Sequence, residues 1–341
     1  MEPLVTICHD EIPETLARKY DGWMDRHVID CYVRYAKALF ERFGQKVKYW
    51  LTFNEINVLQ GYSHMGTCSA DYYHKFQCTH HMFVASAKVT MMAHKMMPGC
   101  MVGVMYASSP TYPATCKSED MEAWMLQKRY LYFYPDVMIR GYYPHYTEAF
   151  FDSMGISIKM EADDTDILEQ GTIDYYAFSC YRSTTVSQDT KLAFAGMSLD
   201  TNPYLPSSPW GWPIDPFSIR YIMNDIYDRY QVPLFIVENG LGDIDEADED
   251  HYVNDQARIA YLKDHFKQIK KAVEEDHIPV IGYTMWGGID LVSLSTGEMS
   301  KRYGFVYVDM DDKGQGTKKR YKKASYEWMK TFLETKGSNL D

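Results

Sequence analysis

The sequence predicts an α/β protein in which a parallel sheet is covered by helices. Six short apolar runs, each bounded by turns or polar residues, are predicted as buried strands, and stretches with helical spacing lie between them. Strands that alternate with helices pair in parallel with right-handed crossovers, so both faces of the sheet are expected to be covered. Polar residues recur at the ends of several strands, which is typical of a barrel. The predicted fold is an incomplete TIM-type β/α barrel with about six of the eight βα units.

The six strands are predicted at residues 3–8, 47–53, 101–107, 174–181, 233–239 and 280–286. Apolar residues at helical spacing predict helices at residues 28–43, 83–97, 219–230 and 255–273. The C-terminal region departs from this alternation. Residues 302–310 and 317–321 predict a β-hairpin, and residues 324–333 predict a final helix that packs outside the barrel. Because no linker or internal repeat is visible, residues 1–341 are predicted to form a single partial barrel domain.

An open doubly wound sheet is the alternative to a barrel. Such a sheet binds its ligand at one crevice, normally with a glycine-rich phosphate loop after an early strand, and this sequence has no such loop. The polar residues at the predicted strand ends are instead spread over many strands, and this distribution favours a barrel. They are His9, Asn54, Glu55, Tyr181, Glu238, Asn239 and Trp286.

Charge and composition exclude several classes of partner. The chain of 341 residues carries a formal net charge of -12, which argues against nucleic acid and anionic membranes as partners. No apolar run is long enough to span a bilayer, and the N-terminus does not resemble a signal peptide. The basic run at residues 318–323 is predicted to be a solvated junction between the hairpin and the last helix.

The cysteine and histidine residues predict neither disulfides nor a metal site. The chain has seven cysteines, an odd number, and no CxxC pair. Free thiols in a reducing, cytoplasmic compartment are therefore expected. His64, His80 and His81 show no metal-ligand spacing, so no metal and no cofactor are predicted.

Two carboxylates at strand ends carry the predicted chemistry. Glu55 closes the apolar run at residues 47–53, and Glu238 closes the run that begins at residue 233. Acids at these positions in a β/α barrel are commonly catalytic, although either one alone could form a structural ion pair. Two acids that face each other across a sugar are what retaining glycoside hydrolysis requires.

The two motifs around these acids, at residues 52–57 (TFNEIN) and 236–240 (IVENG), resemble the catalytic motifs of glycoside hydrolase family 1. The resemblance implies that Glu55 is the general acid/base and that Glu238 is the nucleophile. It also implies that Asn54 binds the sugar 2-hydroxyl and that Tyr181 hydrogen-bonds the nucleophile.

Two further sugar contacts follow from the same resemblance. His9 would bind the 3-hydroxyl of the sugar, and Trp286 would form the platform on which the sugar lies. Asp10 stands where the family usually has an aromatic residue, so the chain departs from the family pattern next to His9.

The segment at residues 290–304 resembles the 6-phospho-β-glucosidase branch of this family. Members that cut unphosphorylated glucosides carry a glutamate where this chain has Ser293, and a carboxylate there would repel a 6-phosphate. The resemblance implies that Ser295 (or Ser293), Lys301 and Tyr303 bind the phosphate, and lysine suits phosphate as a point charge. The segment at residues 204–212 also resembles that branch, where its tryptophans border the aglycone site. The expected partner is a phosphorylated β-glucoside.

The resemblance covers the whole chain but not the whole family. Family members begin with two more strands and their helices, and Met1 stands where the third strand would begin. That part carries a glutamine that binds the sugar and an arginine that contacts the nucleophile. Weak or absent hydrolysis is therefore expected, and so is either a homo-oligomer or a complementing N-terminal chain. The alternatives are a non-catalytic phospho-sugar-binding protein and the remnant of a split or truncated glycosidase.

Overall fold

The structure, a computed structural model, describes residues 2–58, 64–69, 71–193, 199–338 and 340. Its main sheet has six parallel strands that follow one another as β1, β2, β3, β5, β7 and β8. In chain order the strands are β1 (Leu4–Cys8), β2 (Tyr49–Phe53), β3 (Met101–Ala107), β4 (Thr111–Pro113), β5 (Tyr175–Ser179), β6 (Thr184–Val186), β7 (Leu234–Glu238), β8 (Val280–Tyr283), β9 (Val306–Val308) and β10 (Arg320–Lys322).

Helices cover the outer face of this sheet. They are α1 (Glu14–Tyr20), α2 (His27–Phe43), α3 (Tyr72–Met96), α4 (Ser118–Arg140), α5 (Thr147–Asp152), α6 (Asp164–Gln170), α7 (Pro216–Tyr230), α8 (Gln256–Glu274) and α9 (Ala324–Glu334). Short 3₁₀ turns at Gly22–Met24 and Ile56–Val58 connect some of these elements.

The six predicted strands are all present, and the predicted incomplete barrel is confirmed. Three of them end earlier than predicted: β5 ends at Ser179, β7 at Glu238 and β8 at Tyr283. Tyr181 and Trp286 therefore lie in the loops that follow their strands, where the backbone leaves the sheet. The hairpin is also confirmed, since β9 and β10 pair antiparallel. The long helix α4 was not predicted, and it contains Pro135, a residue that ordinarily interrupts a helical pattern.

Alternation along the strands divides the apolar residues into two layers. One face of each strand packs under the helices in a large core, and the other face fills the concave side of the sheet. The concave side is crowded by large rings, and Gly103 leaves room for one of them: an added Cβ at this position would lie 2.7 Å from the Tyr175 ring. The concave layer contains Leu51, Met105, Tyr175, Ala177, Phe235 and Val237.

The sheet has two edges, at β1 and β8. In the described part of the chain, β1 pairs only with β2 and β8 only with β7. The first and last strands therefore do not pair with each other into a smaller closed barrel. A groove of about 410 Å³ lies beside β1, against α1 and α2, and contains Ile12 and Tyr35. A second groove of about 710 Å³ lies between α8, α9 and β8, and contains Phe332 and Leu333.

A buried ionic network joins the loops at the C-terminal part of the fold. Lys323 Nζ donates to Asp245 at 2.5 Å and to Asp290 at 2.7 Å. Arg258 contacts Asp245 at 2.6 Å, and Arg302 contacts Asp290 at 3.0 Å. All five side chains are buried. The prediction that residues 318–323 form a solvated junction is therefore wrong for Lys323, because this lysine pairs with acids that lie far away in the sequence.

Replacement of Lys323 by methionine should destabilise the protein strongly. The substitution removes the cation that Asp245 and Asp290 share and leaves each of these buried carboxylates with one arginine. Breaking a buried ion pair from one side costs roughly 3–5 kcal/mol in the free energy of unfolding. Lys322→Met is the matched control, since Lys322 pairs with Glu327 at the exposed surface at 3.4 Å. That variant should lose no more than about 1 kcal/mol. Urea unfolding measures both, and equal losses would contradict the role given to the network.

We expect the chain to self-associate at micromolar concentration. Unpaired edge strands and apolar grooves next to them favour pairing with another copy. Light scattering should therefore report a mass above that of one chain. Leu333→Lys, in the groove beside β8, should reduce this association. Leu294→Lys places the same charge at another exposed leucine and should not. A monomer that binds no dye for exposed apolar surface would rule out self-association.

Candidate active site

The loops that follow the parallel strands meet on one side of the sheet, and Glu55 lies there. It comes two residues after β2, at the start of the Ile56–Val58 turn, and its φ is positive (33°). Asn57 holds this turn in place: its fully buried side chain bonds both the N–H and the carbonyl of Ala107 at the end of β3. Ser179, the last residue of β5, donates a hydrogen bond to Glu55 Oε1 at 2.5 Å.

Glu238 is the last residue of β7, and the strands β3 and β5 lie between β7 and the strand that precedes Glu55. It pairs in register with Ser179, the residue that contacts Glu55. Tyr181 donates a hydrogen bond to Glu238 Oε2 at 2.9 Å. The next residue, Asn239, is buried and anchors the end of β7 through the Cys180 carbonyl at 2.6 Å. The structure thus brings Glu55, Glu238 and Tyr181 together at the ends of β2, β5 and β7.

Both acids have raised pKa values. Burial raises the pKa of Glu55, the hydrogen bond from Ser179 opposes this shift, and the charge of Asp10 adds to it. Burial and then the charge of Glu55 raise the pKa of Glu238 to about 8, against the hydrogen bond from Tyr181. In the described part of the chain no cationic side chain forms a hydrogen bond or ion pair with Glu238. The pair therefore holds a proton near neutral pH.

Asn54 and Asp10 form a second polar contact in the same cleft. Asn54 follows β2 directly, and its Nδ2 donates to Asp10 Oδ1 at 2.9 Å. His64 Nε2 lies 3.6 Å from the same oxygen. His9, in contrast, is exposed and borders the groove beside β1. Within the described residues, His9 has no hydrogen bond to any other predicted site residue.

Lys301 is buried against aromatic rings instead of against an acid. Its Nζ lies 4.2 Å from the Trp212 ring centroid, 5.5 Å from that of Trp210 and 5.9 Å from that of Tyr303. No hydrogen bond or ion pair joins Nζ to any described residue. Burial lowers the pKa of Lys301, while the nearby Glu298 raises it. A buried ammonium that lies against ring faces and is hydrogen-bonded to no described side chain is suited to an anionic ligand.

The rings around Lys301 connect it to the two acids. The Tyr303 ring lies 6.3 Å from the Tyr181 ring, and the Trp212 ring lies 5.7 Å from it. The loop after β7 approaches closely because residue 242 is glycine: an added Cβ there would lie 2.9 Å from Tyr303 and 3.0 Å from Lys301. The lysine and the nucleophile candidate are therefore parts of one site.

The remaining predicted residues lie nearby but make fewer contacts. Ser293 is buried and its Oγ lies 3.4 Å from that of Ser295, which is exposed. Trp286 is partly buried, and its backbone N–H donates to the Asn239 carbonyl at 2.9 Å. That bond places Trp286 beside the end of β7.

Sequence reasoning missed two residues of this site. Ser179 contacts Glu55, and nothing in its local sequence distinguishes it from other strand serines. Arg182 follows Tyr181, and its Cζ lies 5.1 Å from the Trp212 ring that also faces Lys301. Burial lowers the pKa of Arg182. A second cation near the predicted phosphate residues could have been suspected only from its position next to Tyr181.

The described residues contain neither a metal-binding cluster nor a membrane-spanning helix. No group of three or more histidine, cysteine, aspartate or glutamate side chains there could hold a metal ion. No helix in the same ranges is both long and apolar enough to cross a bilayer.

An open β/α barrel with two nearby acids at its strand ends is an arrangement typical of glycoside hydrolases. Residues 1–338 match the sequence profile of glycosyl hydrolase family 1. The chain is 45% identical to the aryl-phospho-β-D-glucosidase BglA of Bacillus subtilis, over all of this chain and 75% of that protein. It is 44% identical to the 6-phospho-β-glucosidase AscB of Escherichia coli, over all of this chain and 74% of that protein.

A solved structure gives the same result. The family 1 β-glucosidase of Thermotoga maritima superposes with a TM-score of 0.84 at 28% identity, covering 99% of this chain and 74% of that one. The chain therefore belongs to glycosyl hydrolase family 1, as its two motifs predicted. It spans about three quarters of the length of these relatives.

The raised pKa of Glu238 should be visible in protein stability. Its ordinary value of 4.5 applies to the unfolded chain, while the folded value is about 8. Between these two pH values the folded protein binds more protons, so the free energy of unfolding falls as the pH rises. Glu238→Gln removes this dependence, and the variant should gain stability relative to the unmodified chain between about pH 5 and pH 8.

Urea unfolding at several pH values measures this difference. Glu249→Gln is the control, because Glu249 is exposed and this change should leave the pH dependence as it is. A difference between Glu238→Gln and the unmodified chain that stays constant with pH would show that Glu238 ionises normally in the folded protein.

Proposed function

We propose that this chain is a retaining 6-phospho-β-glucosidase that acts on phosphorylated β-disaccharides or aryl β-glucosides. One observation carries the proposal: two neighbouring acids, each with a hydroxyl donor, share a cleft with a buried lysine that has no acid bonded to it. The acids suit glycosidic bond cleavage, and the lysine suits a phosphate.

The roles of the two acids follow from the retaining mechanism. Protonated Glu55 would donate to the glycosidic oxygen while ionised Glu238 attacks the anomeric carbon and forms a glycosyl-enzyme intermediate. Glu55, then ionised, would take a proton from the water that hydrolyses this intermediate. Tyr181 would stabilise ionised Glu238 through its hydrogen bond. This mechanism requires carboxyl groups about 5–5.5 Å apart, and that separation stays a prediction.

The phosphate would lie at Lys301. Ser293 or Ser295 and Tyr303 would add hydroxyl donors, and Arg182 would add a second positive charge beside Trp212. The names of the relatives support this assignment, since two of them are phospho-β-glucosidases at 44–45% identity. Asn54, His9 and Trp286 would contact the sugar itself.

The electrostatics of the acid pair favour slow hydrolysis. A nucleophile must be ionised, yet burial and Glu55 raise the pKa of Glu238 to about 8. A phospho-sugar binder without turnover is therefore the second candidate function, and the same observation favours it. Substrate binding in the absence of product formation would separate it from the enzyme.

The proposal also includes the cellular location of the protein and the way in which the open edges of its sheet are covered. All seven cysteines are free in the structure, in keeping with a reducing, cytoplasmic location. The domain is proposed to extend over residues 1–341, with its open edges covered by a second copy or by a complementing N-terminal chain.

Hydrolysis should show a preference for phosphorylated substrates that depends on Lys301. We expect the chain to cleave 6-phosphorylated aryl β-glucosides in preference to the unphosphorylated compounds, with a kcat well below about 10 s⁻¹, the median for enzymes. Lys301→Ala should remove much of this preference, because a charged hydrogen bond contributes roughly 1.5–3 kcal/mol. The measurement is kcat/KM for both substrates.

Lys313→Ala serves as the control, since Lys313 is exposed in the hairpin turn. It should leave the preference unchanged. Equal turnover of the two substrates by the unmodified chain would refute the phosphate assignment. Full activity in the Glu238→Gln variant would refute the assignment of Glu238 as the nucleophile.

A further inference from the structure

Asp10 stands out because it is a third carboxylate in the cleft with no part in the proposed reaction. It lies two residues beyond β1, and its side chain is only 13% exposed. Its backbone has a positive φ of 73°, a conformation that few residues other than glycine adopt. The chain therefore turns sharply at this point and directs an acid toward the ends of β1 and β2.

The contact between Asp10 and Asn54 fixes the orientation of the asparagine amide. Asn54 Nδ2 lies 2.9 Å from Asp10 Oδ1, and the Asn54 backbone N–H donates to the Cys8 carbonyl at 3.0 Å. An ionised carboxylate only accepts hydrogen bonds, so the amide must turn its NH₂ group toward Asp10. The second N–H of that group and the amide oxygen remain for a ligand.

The surroundings keep Asp10 ionised. Burial raises the pKa of Asp10, but the nearby His64 ring and the hydrogen bond from Asn54 lower it by more, so the net shift is downward. The His64 ring lies 3.6 Å from the carboxylate, too far for a short hydrogen bond, so Asn54 is its closest donor. A charge-assisted bond of this kind is stronger than a neutral one and holds its donor more firmly.

We propose that Asp10 is a positioning residue whose carboxylate holds the Asn54 amide so that its second N–H meets the 2-hydroxyl of the bound sugar. The inference rests on the proposed function for the identity of the sugar, and it adds a residue to which no role had been given. Asp10 touches Asn54, not the reacting atoms. Its effect should therefore depend on whether the ligand carries a 2-hydroxyl.

Calorimetry with two ligands tests this dependence without requiring turnover. Glucose 6-phosphate carries the 2-hydroxyl and 2-deoxyglucose 6-phosphate lacks it. The unmodified chain should bind the first more tightly by about two- to tenfold, the range expected for one neutral hydrogen bond. In Asp10→Ala this ratio should fall toward one, because the amide is free to turn away. Affinity for the 2-deoxy compound should change little.

Two further variants keep the result interpretable. Glu11→Ala removes the neighbouring exposed acid and should preserve the ratio. Asn54→Ala should abolish the ratio, and the double variant of Asp10 and Asn54 should lose nothing more. Because the ratio compares two ligands on one protein, a general loss of stability affects both alike. If Asp10→Ala does not fold, Asp10→Asn tests the same point. An asparagine amide can donate to Asn54 as well as accept from it, so it no longer forces the Asn54 NH₂ group to face residue 10, and the ratio should again fall.

The possible outcomes separate this inference from the proposed function. An unchanged ratio in Asp10→Ala overturns the role of Asp10 and leaves the proposed glycosidase intact. A ratio that falls as expected supports Asp10 even if no hydrolysis is detected, a result that would favour the sugar-binding alternative. Failure of the unmodified chain to bind either ligand overturns both.

Discussion

The buried ionic network between the C-terminal loops is the constraint on which the ligand site depends. Arg302 lies between Lys301 and Tyr303, and it is fixed by Asp290 and by the carbonyls of Val308 and Met310. Its backbone also exchanges two hydrogen bonds with Asp243, both at 3.0 Å. Because neighbouring side chains point in opposite directions in extended backbone, anchoring Arg302 inside the protein turns Lys301 and Tyr303 toward the cleft.

The same network reaches the nucleophile candidate. Arg258 bonds the carbonyl of Leu241, three residues after Glu238, and also contacts Asp245. Lys323 then connects Asp245 to Asp290, at the start of the segment that carries the predicted phosphate residues. Mutual pairing of these buried charges thus sets the distance between the acid half of the site and its cationic half.

The site divides into two regions of opposite charge. Asp10, Glu55 and Glu238 lie together at the ends of β1, β2 and β7, while Lys301 and Arg182 flank Trp212. A sugar phosphate is neutral at the ring and anionic at one end, so this division would orient it. The cost falls on Glu238, because burial and then the charges of Glu55 and Asp10 raise its pKa, and the hydrogen bond from Tyr181 offsets only part of that rise.

Local patterns in the sequence were sufficient to predict the six strands of the sheet and the positions of the two acids at strand ends. Continuous apolar runs identified all six strands, and the residues after them identified Glu55 and Glu238. The helix α4 was missed because Pro135 interrupts its pattern. Ser179, Arg182 and the burial of Lys323 could not be predicted, since each depends on a partner more than 25 residues away in the chain. Asp10 was visible only as a departure from the family pattern, and its contact with Asn54 required the folded strands.

The edges of the sheet and the ligand site are physically linked. Strand β1 is one edge, and the loop that follows it supplies Asp10 and thereby orients Asn54. Strand β8 is the other edge, and it leads to Trp286 and onward to Lys301. Edge strands have fewer hydrogen bonds and open more readily than central ones. Glu55 follows β2 and Glu238 ends β7, and both strands are paired on two sides. The proposed catalytic acids therefore rest on better supported strands than the groups proposed to orient the sugar and its phosphate. A chain segment that pairs with both edge strands would therefore stabilise the groups that position the substrate more than it stabilises the two acids.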